Sequence, residues 1–215
     1  MSDHSLLSQA VIEGKGDQTA GLATAVLNSG TKPQDIISQI LQPAMNTVGE
    51  KFSSGEFFLP DMLLAARAMN NALAILKPLL ADSEMPTLGK VIIGTVKGDI
   101  HDIGKNIVAT FMRGVGFEVI DLGEDITDEK FVEAVKENNA DILGLCAMLT
   151  TTMPSIGTVI KALEAAGIRS SIKVIVGGAP VTKDFADHIG ADAYAHDGGK
   201  AARVCKELLA AKGAG

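Results

Sequence analysis

The sequence predicts two parts: an N-terminal four-helix bundle, then a flavodoxin-like α/β domain on a five-stranded parallel sheet. Three observations predict this. Residues 4 to 81 hold no convincing strand pattern. After Lys90, five short, β-branched apolar runs alternate with helical segments, the pattern of βαβ units with helices on both faces. Between the halves, "ADSEMPTLGK" at 81–90 mixes polar residues with Pro and Gly and reads as a linker. The domains are therefore expected at 1–87 and 88–215.

In the first part helices are expected at 5–14, 17–29, 34–53 and 60–80, separated by "GKGD", "SGTKP" and "SSGEFFLP". Asp17 and Asp35 stand like helix starts, and Pro60 suits a first helical turn. Connections this short make neighbouring helices antiparallel, and a bundle is their natural packing. In the second part the strands are "KVIIGTV", "FEVIDLG", "ADILGLCAM", "IKVIVGGAP" and "ADAYAHD", with helices near 103–115, 128–139, 153–166, 182–189 and 199–212. Ligands of doubly wound sheets sit beyond the carboxyl ends of the strands. Those ends carry "KGDIHDIG", "GEDIT", "MLTTT", "GGAP" and "HDGG", so the unusual chemistry gathers on one edge.

Composition narrows the partners. Hydrophobic residues make up 47% of the 215, but aromatics only 4%, with one Tyr and no Trp. The core must be aliphatic, and base-stacking platforms are lacking. A formal net charge of −7 and the absence of any basic run argue against nucleic acid and anionic lipid. The most apolar stretch, "FFLPDMLLAARAMNNALAILKPLLA", is interrupted by Asp61, Arg67, Asn70, Asn71 and Lys77, too often for a membrane span. Cys146 and Cys205 are far apart and form no C-x-x-C, and no secretory leader is seen. The expected setting is a reduced cytoplasm.

The loop "VKGDIHDIGKNIV", 96–108, admits three readings. Gly98, Gly104 and Lys105 imitate a P-loop, but five residues separate the glycines and Asn106 stands where Ser or Thr would hold magnesium. Asp99 and Asp102 would also repel phosphate, so nucleotide binding is set aside. In the second reading Asp102 caps a helix beginning near Ile103, and His101 is an exposed loop residue. In the third, His101 ligates a metal while Asp99, two residues away on the same side of an extended loop, takes the other ring N–H. One nitrogen cannot hold a free zinc ion, and His4, His188 and His196 form no ligand-spaced set. A single histidine suits a metal that arrives already caged in a macrocycle.

A resemblance favours the third reading. "DIHDIG" matches the D-x-H-x-x-G signature of cobalamin-binding domains through Asp99, His101 and Gly104. "KGDIHDIGKNIV" is similar over its whole length to the corresponding stretch of cobalamin-dependent methionine synthase. It resembles still more the small corrinoid proteins of methyltransferase systems that use methylamines, methanol, betaines or aryl methyl ethers. The likeness continues through "LGLCAMLTTTM", "VGGAP" and "VGEKFSSGEFFLPDMLLAARAM", and covers roughly residues 5 to 210.

The resemblance implies a cobalamin bound base-off, with His101 replacing the benzimidazole base beneath cobalt. Asp99 matches the carboxylate bonded to that histidine, and Thr152 falls where methionine synthase has a serine completing the relay. His101, Asp99 and Thr152 are thus the implied reactive unit, with Asp102 in the same binding loop. The nucleotide tail would run down a slot lined by small residues, which Gly104, Gly144, Ala147, Gly177, Gly178 and Ala179 match. Thr150 matches a hydroxyl residue near the corrin or its tail, and Cys146 stands where many relatives have serine. "EKFSSGEFFLP" resembles the cap over the upper corrin face, with Phe52 and Leu59 as its apolar contacts. The implied role is a methyl carrier, loaded on cobalt by a substrate:corrinoid methyltransferase. A second methyltransferase, with a thiol or tetrahydrofolate acceptor, would unload it, and a reductive activase would rescue oxidised cobalt. No substrate barrel is visible in the chain itself. The competing readings are the cobalamin subunit of an adenosylcobalamin mutase, a cobalamin-based sensor, and a flavodoxin-like module without corrinoid.

Overall fold

The computed structural model describes residues 2–80 and 87–213. Residues 81–86 of the expected linker lie outside the described residues. The chain divides into two compact units, Met1–Thr87 with Arg113–Gly116, and Leu88–Met112 with Phe117–Gly215.

The first unit is helical. Helix α1 (Asp3–Ile12) is capped by the Ser2 hydroxyl, which accepts the Ser5 N–H. Helix α2 (Gly16–Asn28) follows after a turn in which Gly14 has φ +67°. A Cβ at Gly14 would stand 2.5 Å from the Leu64 Cβ, so only glycine serves there. Helices α3 (Pro33–Ile36) and α4 (Gln42–Ser53) are joined by a π-helical turn, Ile37–Leu41. Its cause is local: Pro43 has no N–H to give the ladder, and Gln42 N–H reaches back five residues to Ile37 O. The single helix expected at 34–53 is therefore continuous but widened in the middle. Helix α5 (Leu59–Leu76) opens with Pro60 in its first turn, and the Phe58 N–H donates to Asp61 Oδ2 at 2.8 Å. Small residues bring α2 and α5 together: the buried Thr19 hydroxyl donates to Ala68 O (2.9 Å) and Asn71 Nδ2 to Gly16 O (3.0 Å). Leu7, Val11, Leu41, Met45, Met62, Met69 and Leu76 fill the core of this unit.

The second unit alternates strand and helix: β1 (Lys90–Thr95), α6 (Ile103–Gly114), β2 (Glu118–Asp121), α7 (Asp128–Asn138), β3 (Ile142–Cys146), α8 (Pro154–Ala165), β4 (Lys173–Gly177), α9 (Lys183–His188), β5 (Ala193–Tyr194) and α10 (Gly198–Gly213). The sheet order is β2-β1-β3-β4-β5, all parallel, the flavodoxin-like order whose crevice opens between β1 and β3. Alternation along the strands sends two sets of side chains to opposite faces. Ile92, Leu143, Leu145, Val174 and Val176 meet Phe131 of α7 and Ile156, Val159, Ile160 and Leu163 of α8 in one aliphatic core. On the other face Ile93 pairs with Gly144 and Gly144 with Ile175, and one step further Thr95, Cys146 and Gly177 stand in register. Gly144 and Gly177 therefore leave gaps in that face, beneath α6 and α10.

Candidate functional site

The chain leaves β1 through the turn Val96–Asp99, in which Gly98 takes φ +84° and Asp99 N–H returns to Val96 O at 3.1 Å. That left-handed step belongs to glycine. It drops Asp99 into the interior, where it has no exposed surface. Four donors converge on its carboxylate. Oδ1 accepts His101 N–H (3.0 Å) and faces His101 Nδ1 (2.7 Å); Oδ2 accepts Met148 N–H (2.7 Å) and the Thr152 hydroxyl (2.6 Å). Burial alone would raise the Asp99 pKa, but the bonds from Thr152, Met148 and His101 prevail and hold it well below the usual carboxylate range.

Electron-pair counting then fixes the histidine. An ionised carboxylate only accepts, so the atom facing it, Nδ1, carries a proton. In the neutral ring Nε2 then holds the lone pair. The side chain is half exposed, and among the described residues Nε2 has no partner. Thr95 Oγ1 donates to His101 O at 3.1 Å and ties the histidine backbone to the end of β1. The result is an oriented ring nitrogen lone pair presented to the outside. Among the described residues no cluster of three His, Cys, Asp or Glu could hold a bare metal ion, so a metal at Nε2 has to bring its other ligands with it.

Beside this loop lies a cavity of about 400 Å³ between that sheet face, α6 and α10. Gly104, Gly144, Cys146, Gly177, Gly178 and Ala179 line it, so six small residues named from the sequence are brought together there. Burial, and secondly the Asp99 charge, push the Cys146 thiol up to about 11, so it is a protonated wall residue rather than a metal ligand. Ala147 is buried, and its carbonyl closes against Gly178. Asp102 immediately precedes α6; its carboxylate accepts Asn106 Nδ2 at 2.8 Å and its carbonyl accepts the Asn106 N–H at 2.8 Å. Thr150 is exposed and, like Asp102, is not among the residues lining the cavity. Phe52 and Leu59 lie in the helical unit, both half-buried.

Three features escaped sequence reasoning. The Met148 N–H is a backbone donor, which no residue type announces. Lys105, which imitates a P-loop lysine in the sequence, is buried in the cavity wall, with Nζ 2.6 Å from both oxygens of Asp121 and 2.7 Å from Asn106 Oδ1. Its charge is paired with the Asp121 carboxylate, so it is not a free cation for a phosphate. Tyr194, His196 and Asp197 close the far wall; "HDGG" marked the place without the roles.

Residues 89–206 match the B12 binding domain family, and residues 5–77 match a second family of B12 binding domains. The chain belongs to the B12-binding family. Its cofactor is a corrinoid. Dimethylamine corrinoid protein 1 of Methanosarcina acetivorans is 45% identical over 98% of this chain and 100% of that protein. A cobalamin-binding protein of Desulfitobacterium hafniense superimposes with a TM-score of 0.82 at 33% identity, over 96% of this chain and 98% of that one. The methanol:cobalamin methyltransferase complex of Methanosarcina barkeri contains a chain that superimposes with a TM-score of 0.83 at 30% identity, over 95% and 78% of the two chains.

The residues of this B12-binding chain suit such a group. A macrocycle already occupies four positions of its metal, and the single outward Nε2 matches the one ligand then wanted from the protein. Ile100 and Ile103, which flank His101, are 70% and 75% exposed, apolar surface for a broad flat ring beside the ligand. Gly104 faces open space: a Cβ built there meets nothing within 4 Å. A tail entering the slot at that point finds no side chain in its way.

Proposed function

We propose that this protein is the methyl carrier of a methylamine-dependent methyltransferase system, with His101 as the lower axial ligand of a base-off corrinoid. The observation that carries the reading is the pairing of His101 Nδ1 with the buried, ionised Asp99, which leaves Nε2 free beside a slot floored by glycines. When bound, the corrinoid supplies a cobalt centre that accepts a methyl group and gives it up. The chain supplies the rest. Asp99 fixes the tautomer of His101 and strengthens its lone pair. The hydroxyl of Thr152 and the N–H of Met148 hold the Asp99 carboxylate, and the His101–Asp99–Thr152 unit is placed to gain or lose a proton as the demand on Nε2 changes. The glycine floor makes room for the displaced nucleotide tail. Phe52 and Leu59, on the helical unit, would cover the upper face and exclude water.

The partners are a substrate:corrinoid methyltransferase that loads the carrier, a second methyltransferase with a thiol or tetrahydrofolate acceptor, and a reductive activase. The methylamine donor is supported by relatives named for dimethylamine at 45% and 42% identity. The test is spectroscopic. Paramagnetic resonance of the Co(II) holoprotein is expected to show splitting from one histidine nitrogen, which disappears in His101→Ala. Benzimidazole still on cobalt in the wild type would overturn the assignment. Recovery of adenosylcobalamin rather than methylcobalamin from the purified protein would favour a mutase subunit.

A further inference from the structure

Asp99 is held from outside the histidine loop as well as from within it. The segment Gly123–Ile126, between β2 and α7, runs alongside the exit of β1: Thr95 N–H donates to Gly123 O (3.0 Å), Ile126 N–H to Thr95 O (3.1 Å) and Asp125 N–H to Asp99 O (3.0 Å). Asp125 itself sits at φ +55°, a left-handed conformation that only Asn, Asp and Gly adopt readily. That conformation turns its side chain back on the loop. Oδ1 accepts Gly98 N–H at 2.8 Å and Oδ2 accepts Lys97 Nζ at 2.9 Å. Asp125 therefore grips Lys97, Gly98 and Asp99 in succession.

We propose that Asp125 is a positioning residue for the cofactor ligand, setting the turn that aims Asp99, and through it His101, at the metal. The inference rests on the reading of His101 as lower ligand. Two consequences follow from the geometry. The Lys97 pair is half exposed on both sides and contributes little by itself. The bond to Gly98 N–H matters more, because it fixes a residue already at φ +84° immediately before Asp99. A carboxylate is not required for that bond: an amide oxygen can accept it, and Asn tolerates the same backbone.

Two variants separate the roles. Asp125→Gly keeps the left-handed backbone accessible and removes the acceptor; Asp125→Asn keeps both. The probe is cobinamide, a corrinoid without the nucleotide tail, whose affinity depends on the histidine with no help from the slot. Absorbance titration is expected to show affinity about fivefold weaker in Asp125→Gly, the worth of one hydrogen bond, and wild-type affinity in Asp125→Asn. Melting of the apoproteins is followed in parallel. Cobinamide affinity unchanged in Asp125→Gly, whatever its melting temperature, or equal losses in both variants, would overturn the proposal. The His101 reading fails separately, if the wild-type Co(II) signal shows no nitrogen that His101→Ala removes.

Discussion

Asp99 shows how one side chain can support the fold and, on the proposed function, orient a ligand as well. Four donors meet its four lone-pair positions, so an amide cannot replace the carboxylate: one side would turn an NH2 toward donors. Asp99→Asn is expected to cost the apoprotein about 2–4 kcal/mol, through buried N–H and O–H groups left without acceptors. The pH dependence has a definite sign. Because the folded-state pKa is depressed below the unfolded value of about 3.9, the carboxylate's contribution is complete above about pH 4 and is lost as pH falls further. Urea unfolding of both apoproteins as a function of pH checks this: the gap between them should be widest above pH 4 and narrow in more acidic solution. The side-chain half of this arrangement was legible in the sequence, because Asp99, His101 and Thr152 carry the residue types that the D-x-H-x-x-G resemblance asks for. Met148 and Asp125 were not legible. One contributes a backbone N–H, and the other depends on a φ that a residue name only permits.

The elements were legible wherever periodicity made them. All five strands and the helices between them fall where the apolar runs placed them, with the last strand shortened to Ala193–Tyr194 at the sheet edge. The widened turn at Ile37–Leu41 was not, since Pro43 reads equally as a kink or a stop. At this scale two glycines of the slot have opposite requirements. Gly178, at φ +125°, would put a Cβ 1.8 Å from Ala147 O, so Gly178→Ala should cost about 3 kcal/mol by backbone strain and collision. Gly104 has open space around its missing Cβ and lies within α6, where a side chain raises helix propensity. Gly104→Val is expected to melt no lower than wild type and yet to bind complete cobalamin more weakly, with cobinamide affinity preserved. Differential scanning calorimetry and the two titrations would show it. Equal weakening for both corrinoids would mean that the tail does not pass Gly104.

For the molecule as a whole, the division into a helical and an α/β unit gives Leu59 two conceivable duties. A fully buried leucine truncated to alanine costs about 2–5 kcal/mol, but Leu59 is only half-buried. Leu59→Ala is therefore expected to lower apoprotein stability by about 1 kcal/mol or less. If it covers the methyl-bearing face, the same change should speed the light-driven decay of bound methylcobalamin, measured by absorbance. Large destabilisation with unchanged decay would return Leu59 to the bundle core. Among the described residues no helix is long and apolar enough to cross a membrane. The parallel sheet also has a bearing on how the protein comes into being. The bond from Thr152 to Asp99 closes a separation of 53 residues, and that from Met148 one of 49. Neither exists until β3 has docked beside β1, a slow, non-local event in folding. A nascent chain that has emerged only as far as α7 holds its histidine loop and Asp125 but neither Met148 nor Thr152, so on the proposed function cofactor capture has to wait for the third strand.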